Sequence, residues 1–218
     1  LIGLGVKAYL KAGGRITPEQ FAEAFKDDPG VSTPAFAFDG LHTVQELLKE
    51  GMHPRLAGLH NAPSGLISAA MPAVGIFHLA DPERAYLDGV ELASVAQPRI
   101  GADWAGLSAA AIAAALENDA TPESVVSAVL KTAHANAKDI FYQLNVHSRG
   151  MASCKDDNAV AAWWCTQAGV IPSSRETRWV AANPIRYALP LLANFHDRPE
   201  KLMQLMIGVN PGEWWGAG

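Results

Sequence analysis

Three times in this chain a helix-capping residue is followed at once by proline and glutamate: Thr17-Pro18-Glu19, Asp81-Pro82-Glu83 and Thr121-Pro122-Glu123. The Thr or Asp oxygen accepts from free backbone N–H groups of a new helix. Proline suits the first helical position, where no N–H is needed, and glutamate faces the positive helix end. Asn183-Pro184 marks another start, and Arg198-Pro199-Glu200 is a weaker copy with Asp197 as its cap. The segments between these starts differ in length and pattern, so they are not internal repeats. Alternating apolar/polar runs are almost absent, which argues against a sheet.

These features predict an all-α fold in one domain over residues 1–218. Helices are expected near 2–12, 18–26, 41–50, 66–79, 82–96, 103–117, 122–144, 157–168, 185–196 and 199–208, with Gly13 and Gly51 as C-terminal stops. Segment 103–117 holds seven alanines. Small side chains let helix backbones approach closely, so this helix should be central and buried. Polar, Pro- and Gly-bearing loops at 27–40, 52–65, 97–102 and 169–184 are where a helical scaffold would build a ligand site.

Apolar residues make up 49% and charged residues 18%, enough to bury a sizeable core and unlike a disordered chain. A net charge of -5 argues against non-specific nucleic-acid binding, which requires a basic face. The most apolar stretch, around Leu66 to Ala80, is broken by Pro72, Gly75 and His78 and is too short to span a bilayer. Nothing resembles a signal peptide, and Cys154 and Cys165 are read as reduced, structural thiols. A cytoplasmic location without nucleic-acid or membrane partners is the default expectation. The chain begins at Leu1, already in helical pattern, and Pro211 to Gly218 offers no capped final element. A fragment of a longer protein is therefore expected.

Three places offer chemistry. His60-Asn61-Ala62-Pro63-Ser64-Gly65 leads into an apolar helix, whose start would present N–H groups to a phosphate; the plain alternative is a capped loop-to-helix junction. Gln97 and Arg99 carry polar groups for a ligand, and Trp104 a ring for stacking; the alternative has Asp103 cap the next helix and Trp104 fill the core. Asp156-Asp157 either bridges a hard cation or caps a helix. The seven histidines show no i,i+4 pair and no zinc spacing with the cysteines. No Gly-rich phosphate loop, nucleophile elbow or paired-carboxylate helix face is present.

An ordered series of segments goes further. Gly14-Arg15-Ile16-Thr17-Pro18-Glu19-Gln20-Phe21-Ala22, Ser64-Gly65 through Ala69-Ala70-Met71-Pro72-Ala73-Val74-Gly75-Ile76, Asp81 to Tyr86, Val90 to Val95, Asp103-Trp104-Ala105-Gly106 and Thr121 to Val125 resemble the ADP-ribosylglycohydrolases. The similarity covers about residues 1–145, resumes at Asp197 to Asn210, and leaves 146–196 as a segment particular to a subgroup. The resemblance implies an all-α orthogonal multi-helix bundle that cleaves the glycosidic bond of ADP-ribosylated proteins or small molecules. Two magnesium ions would be held by a Thr-Asp-Asp motif near the N-terminus and a Gly-Gly-Asp-Thr-Asp-Thr type motif near the C-terminus, orienting ribose hydroxyls and water.

Neither metal motif occurs in these 218 residues, so no residue carries over as a magnesium ligand. The chain by itself is expected to be inactive, or nearly so, while the intact parent is expected to be a magnesium-dependent hydrolase. Pro72 stands where the family often has Arg, and Gln97 near the position of a common His. Ser64 and Gly65 carry over as phosphate contacts, with Gln97 and Gly106 at neighbouring substrate-binding positions. The alternative is a non-catalytic helical module that binds an ADP-ribosyl ligand or a protein partner.

Overall fold

The computed structural model describes residues 1–31, 40–154, 156–160, 162–163 and 181–208. The fold is all-α, with no extended strand among the described residues. In chain order the helices are α1 (Ile2–Ala12), α2 (Pro18–Lys26), α3 (Leu41–Lys49) and α4 (Pro54–Ala57), then a 3-10 segment (Leu66–Ala70) and α5 (Pro72–Phe77). There follow α6 (Pro82–Ala93), α7 (Arg99–Ala115), α8 (Pro122–Asn136), α9 (Lys138–Ala152), α10 (Asn183–Phe195) and α11 (Pro199–Gly208). Residues 157–160 and 162–163 are also helical, and the rest of the helix expected over 157–168 lies outside the described residues. So do Cys165, Trp164 and the Trp214-Trp215 pair.

The caps form as their sequences dictate. Thr17 accepts from the Gln20 N–H at 3.3 Å while the Gln20 side chain accepts from the Thr17 N–H at 2.9 Å. Thr121 and Ser124 make the same reciprocal pair, and Asp81 accepts from the Arg84 N–H at 3.1 Å. Glu19 and Glu123 titrate below the usual range because backbone N–H groups, then the cap threonines, bond to their carboxylates. Gly13 ends α1 in the left-handed region at φ 67°, donating to the Tyr9 carbonyl.

α7 is the central element. Ala102, Ala105, Ala109 and Ala113 on one face join a core built from α1, α2, α3, the 3-10 segment, α5 and α6. Trp104, Leu107, Ala110 and Ala114 on another face join a second core with α8, α9 and α10. A third cluster, Met151, Val160, Tyr187, Leu191, Phe195 and Leu205, closes the C-terminal end. α6 packs closely on α7: a Cβ added to Gly89 would lie 2.9 Å from the Gly106 Cα. One added to Gly75 would lie 2.7 Å from the Ala109 carbonyl.

Several expected elements change. The helix expected over 66–79 divides at Pro72, which cannot donate the N–H a continuous helix needs. α4 was not anticipated. α7 begins at Arg99, because Pro98 serves as an extended N-cap at ψ 165° and Gly101 lies inside the helix. Asp103 therefore caps nothing. The helix expected over 122–144 breaks at Ala137 (φ -145°, ψ 70°) and resumes to Ala152. Asn136 turns its side-chain amide onto the Thr132 carbonyl at 3.0 Å, a local bond that competes with the helical ladder. No Gly or Pro marks that corner.

Candidate ligand site and family

The loop after α4 is tied to the turn between α6 and α7 at three points. Gly58 lies so close to the Ala96–Gln97 peptide that a Cβ there would come within 2.6 Å of the Ala96 carbonyl carbon. Asn61 donates through Nδ2 to the Ala96 carbonyl at 2.8 Å and accepts the Ala62 N–H at 2.9 Å. The Ser64 N–H donates to Gln97 Oε1 at 2.7 Å. Ser64 and Gln97 are each only 1% exposed. Two residues far apart in the chain are thus brought together, and Gly65 sits partly exposed beside them.

The Gln97 amide fits because Gly101 leaves it room: a Cβ at Gly101 would approach Oε1 to 2.6 Å. Sequence reasoning took Gly101 for a loop residue and missed Asn61 as an anchor. With Oε1 spent on Ser64, Gln97 Nε2 is buried without a hydrogen-bond partner. Ser68 Oγ, on the 3-10 segment, is likewise buried and unpartnered. A buried donor left unsatisfied costs about 1–3 kcal/mol, which a ligand acceptor would recover.

Other expectations need correction. The helix start after Ser64 is a five-residue 3-10 segment, not the first turn of a long α-helix. Its Leu66 N–H is taken by Ser64 Oγ at 3.1 Å, so it is no open row of donors for a phosphate. Gly106 faces α6: a Cβ there would meet Val90 Cγ2 at 2.7 Å and the Tyr86 carbonyl at 2.8 Å. It is a packing glycine at the helix crossing, because α6 fills the space a ligand would need. Trp104, 3% exposed, belongs to the second core and offers no stacking face.

Arg99 also turns away. Residues 99 and 101 stand about 200° apart around a helix, so Arg99 lies opposite the face Gln97 packs on. Arg99 Nε donates to Asp103 Oδ1 at 2.7 Å, and the Tyr86 hydroxyl donates to the same oxygen at 2.8 Å. Burial first, then the bond to Asp103, pushes the Tyr86 hydroxyl above its ordinary range.

A buried ionic cluster was not anticipated. Asp88 on α6, 5% exposed, receives Arg15 Nε at 2.9 Å and Nη2 at 2.6 Å, while His78 Nε2 lies 2.7 Å from Oδ2. Burial pushes the Asp88 carboxyl up, but the hydrogen bonds from Arg15 and His78 outweigh it and hold it below the usual range. A pair 73 residues apart leaves no local trace in the sequence.

Asp156 accepts the Ala159 N–H at 2.9 Å and Asp157 pairs with Arg198, so this acidic pair caps and bridges. Among the described residues no group of three or more His, Cys, Asp or Glu comes together to hold a metal. Asp88 and Asp103 are already engaged by arginines. The described donor set does not fit a magnesium pair.

The model of the ADP-ribosylglycohydrolase family matches residues 4–209. The chain belongs to the ADP-ribosylglycohydrolase family. The matched span includes 146–196, the segment expected to be particular to a subgroup. Neither a curated protein nor a solved structure matches the chain. Among the described residues no helix is long and apolar enough to cross a membrane. Cys154 is a free thiol.

Proposed function

We propose that this ADP-ribosylglycohydrolase acts on the glycosidic bond of ADP-ribosylated proteins or small molecules, with Ser64, Gly65 and Gln97 lining the part of the site that holds the nucleotide sugar. One observation supports the assignment beyond family membership: the buried, unpartnered Gln97 Nε2, fixed by the Ser64 bond to Oε1. The pinned amide is a preformed donor, and a phosphate or ribose oxygen is a fitting acceptor. Magnesium belongs to the proposed activity of the whole protein as a family property. These described residues supply second-site binding and orientation, not its ligands.

Calorimetry with ADP-ribose tests the site. Gln97→Glu keeps an acceptor for the Ser64 N–H, removes the donor and adds a negative charge. It should weaken ADP-ribose binding roughly ten- to hundredfold. Circular dichroism checks that the variant folds. Unchanged affinity in a folded Gln97→Glu protein removes Gln97 from the site. Release of ADP-ribose from an ADP-ribosylated protein, with magnesium present, separates hydrolase from binding module: binding without turnover selects the non-catalytic alternative.

A further inference from the structure

The C-terminal core contains an arginine whose charge no described carboxylate neutralises. Arg186, in the first turns of α10, donates through Nη2 to the Tyr187 hydroxyl at 2.5 Å. Its guanidinium carbon lies 4.7 Å from the centre of the Tyr187 ring. Arg186 Nε is buried and has no hydrogen-bond partner. Asp157, in the segment leading to Trp163, is held by Arg198 instead.

Neighbouring α9 feels this charge. Burial first, and Arg186 second, push the His147 imidazole down to about 4, so it is neutral at physiological pH. The Trp163 ring stands edge-on to His147 at 5.8 Å. Gly150 makes room for that indole, since a Cβ there would lie 2.8 Å from Trp163 Nε1. Among the described residues the guanidinium therefore has aromatic and neutral polar neighbours, with its buried Nε–H unsatisfied. Arginine offers Nε–H and Nη–H as a parallel fork that matches two oxygens of a carboxylate or phosphate. Leaving the Nε–H unpaired in a low-dielectric setting is unfavourable, and an oxyanion relieves both the charge and the missing acceptor.

We propose that Arg186, with Tyr187 against it and the His147–Trp163 pair on the neighbouring segments, forms a binding site for a small oxyanion, a phosphate or carboxylate group. The site lies in the third core, whereas Ser64 and Gln97 border the first, so the two assignments stand or fall separately.

Inorganic phosphate and acetate, titrated separately into the full chain at constant ionic strength, are the probes. The His147 imidazole resonances should move saturably with one or both anions, and the melting temperature should rise over the same range. Which anion saturates distinguishes phosphate from carboxylate recognition. Arg186→Gln should weaken binding roughly ten- to hundredfold. Arg186→Lys keeps the charge without the fork and should also weaken it. No saturable change with either anion in the unaltered chain overturns the proposal. So does an Arg186→Gln protein that binds as well as the original. If Arg186→Gln does not fold, the unaltered chain and Arg186→Lys decide, and equal affinity in those two counts against the site.

Discussion

The two faces of α7 solve the same packing problem in opposite ways. Toward the N-terminal core the buried apolar side chains of the helix are alanines, at 102, 105, 109 and 113, and the bulk comes from its neighbours: Phe21, Phe25, Leu48, Ile67 and Met71. Toward α8, α9 and α10 it supplies the bulk itself, through Trp104 and Leu107. The polar groups divide likewise. Gly101, Gln97 and Ser64 mark the first face, and Arg99, Asp103 and Tyr86 the second. One helix thus lets loops close in on one side and anchors a conventional core on the other. The candidate ligand site lies where the helix is thin.

That contrast predicts asymmetric responses to volume. Trp104→Ala should be the most damaging change, costing about 3–5 kcal/mol in urea denaturation, because it empties a buried site on the thick face. A loss below about 1 kcal/mol would return Trp104 to the surface role that stacking on a ligand requires. Ala105→Leu acts on the thin face by overpacking and should cost about 1–3 kcal/mol. If Ala105→Leu were neutral, that face would be looser than the alanine stripe implies, and the contrast would fail.

The Asp88 cluster belongs to the thin side alone and gives it a pH signature. The folded carboxyl is held below its unfolded value, so its contribution is present above the ordinary carboxylate range. It is lost as pH falls below about 4. Arg15 is 64% exposed in its side chain, so solvent screening trims the effect. Asp88→Asn should cost about 1–2 kcal/mol at neutral pH and flatten the acid limb of the stability curve. Stability that falls below pH 4 just as steeply in Asp88→Asn would place the acid sensitivity elsewhere.

The sequence made the helices legible where the decisive interactions are local. Thr17, Asp81 and Thr121 bond within three residues of themselves, and the proline after each sits where its missing N–H costs nothing. The alanine run announced a central helix for a similar reason, since its packing is written in its own side chains. Gly101 and Gly106 show the limit. Both are helical, yet one makes room for Gln97 and the other for α6, and the two uses cannot be told apart without knowing which element comes close. Pro98 looked like the middle of a loop because an N-cap proline and a loop proline share the same extended backbone. The resemblance put Ser64 and Gln97 at neighbouring positions, but the bond between them was not legible in the sequence. The Asp88–Arg15 and Arg186–Tyr187 arrangements depend on tertiary approach or rotamer and left no periodicity to find.

The smallest effect separates the two sides most cleanly. Thr17 and Thr121 are exposed caps with the same chemistry, one on a helix of the first core and one on a helix of the second. Replacing either by Ala should cost about 1 kcal/mol, the usual price of one lost cap. If α7 welds the cores into a single cooperative unit, each variant lowers protection equally in α2 and in α8 when native-state hydrogen exchange is measured. If the alanine face transmits less than the Trp104 face, Thr17→Ala lowers protection in α2 and α3 and leaves α8 and α9 unchanged. The close approach at Gly89 and Gly106 favours the first outcome, because α6 contributes Ala85 and Leu92 to one core and Tyr86 to the other. Neither core can then open without breaking the same rigid seam.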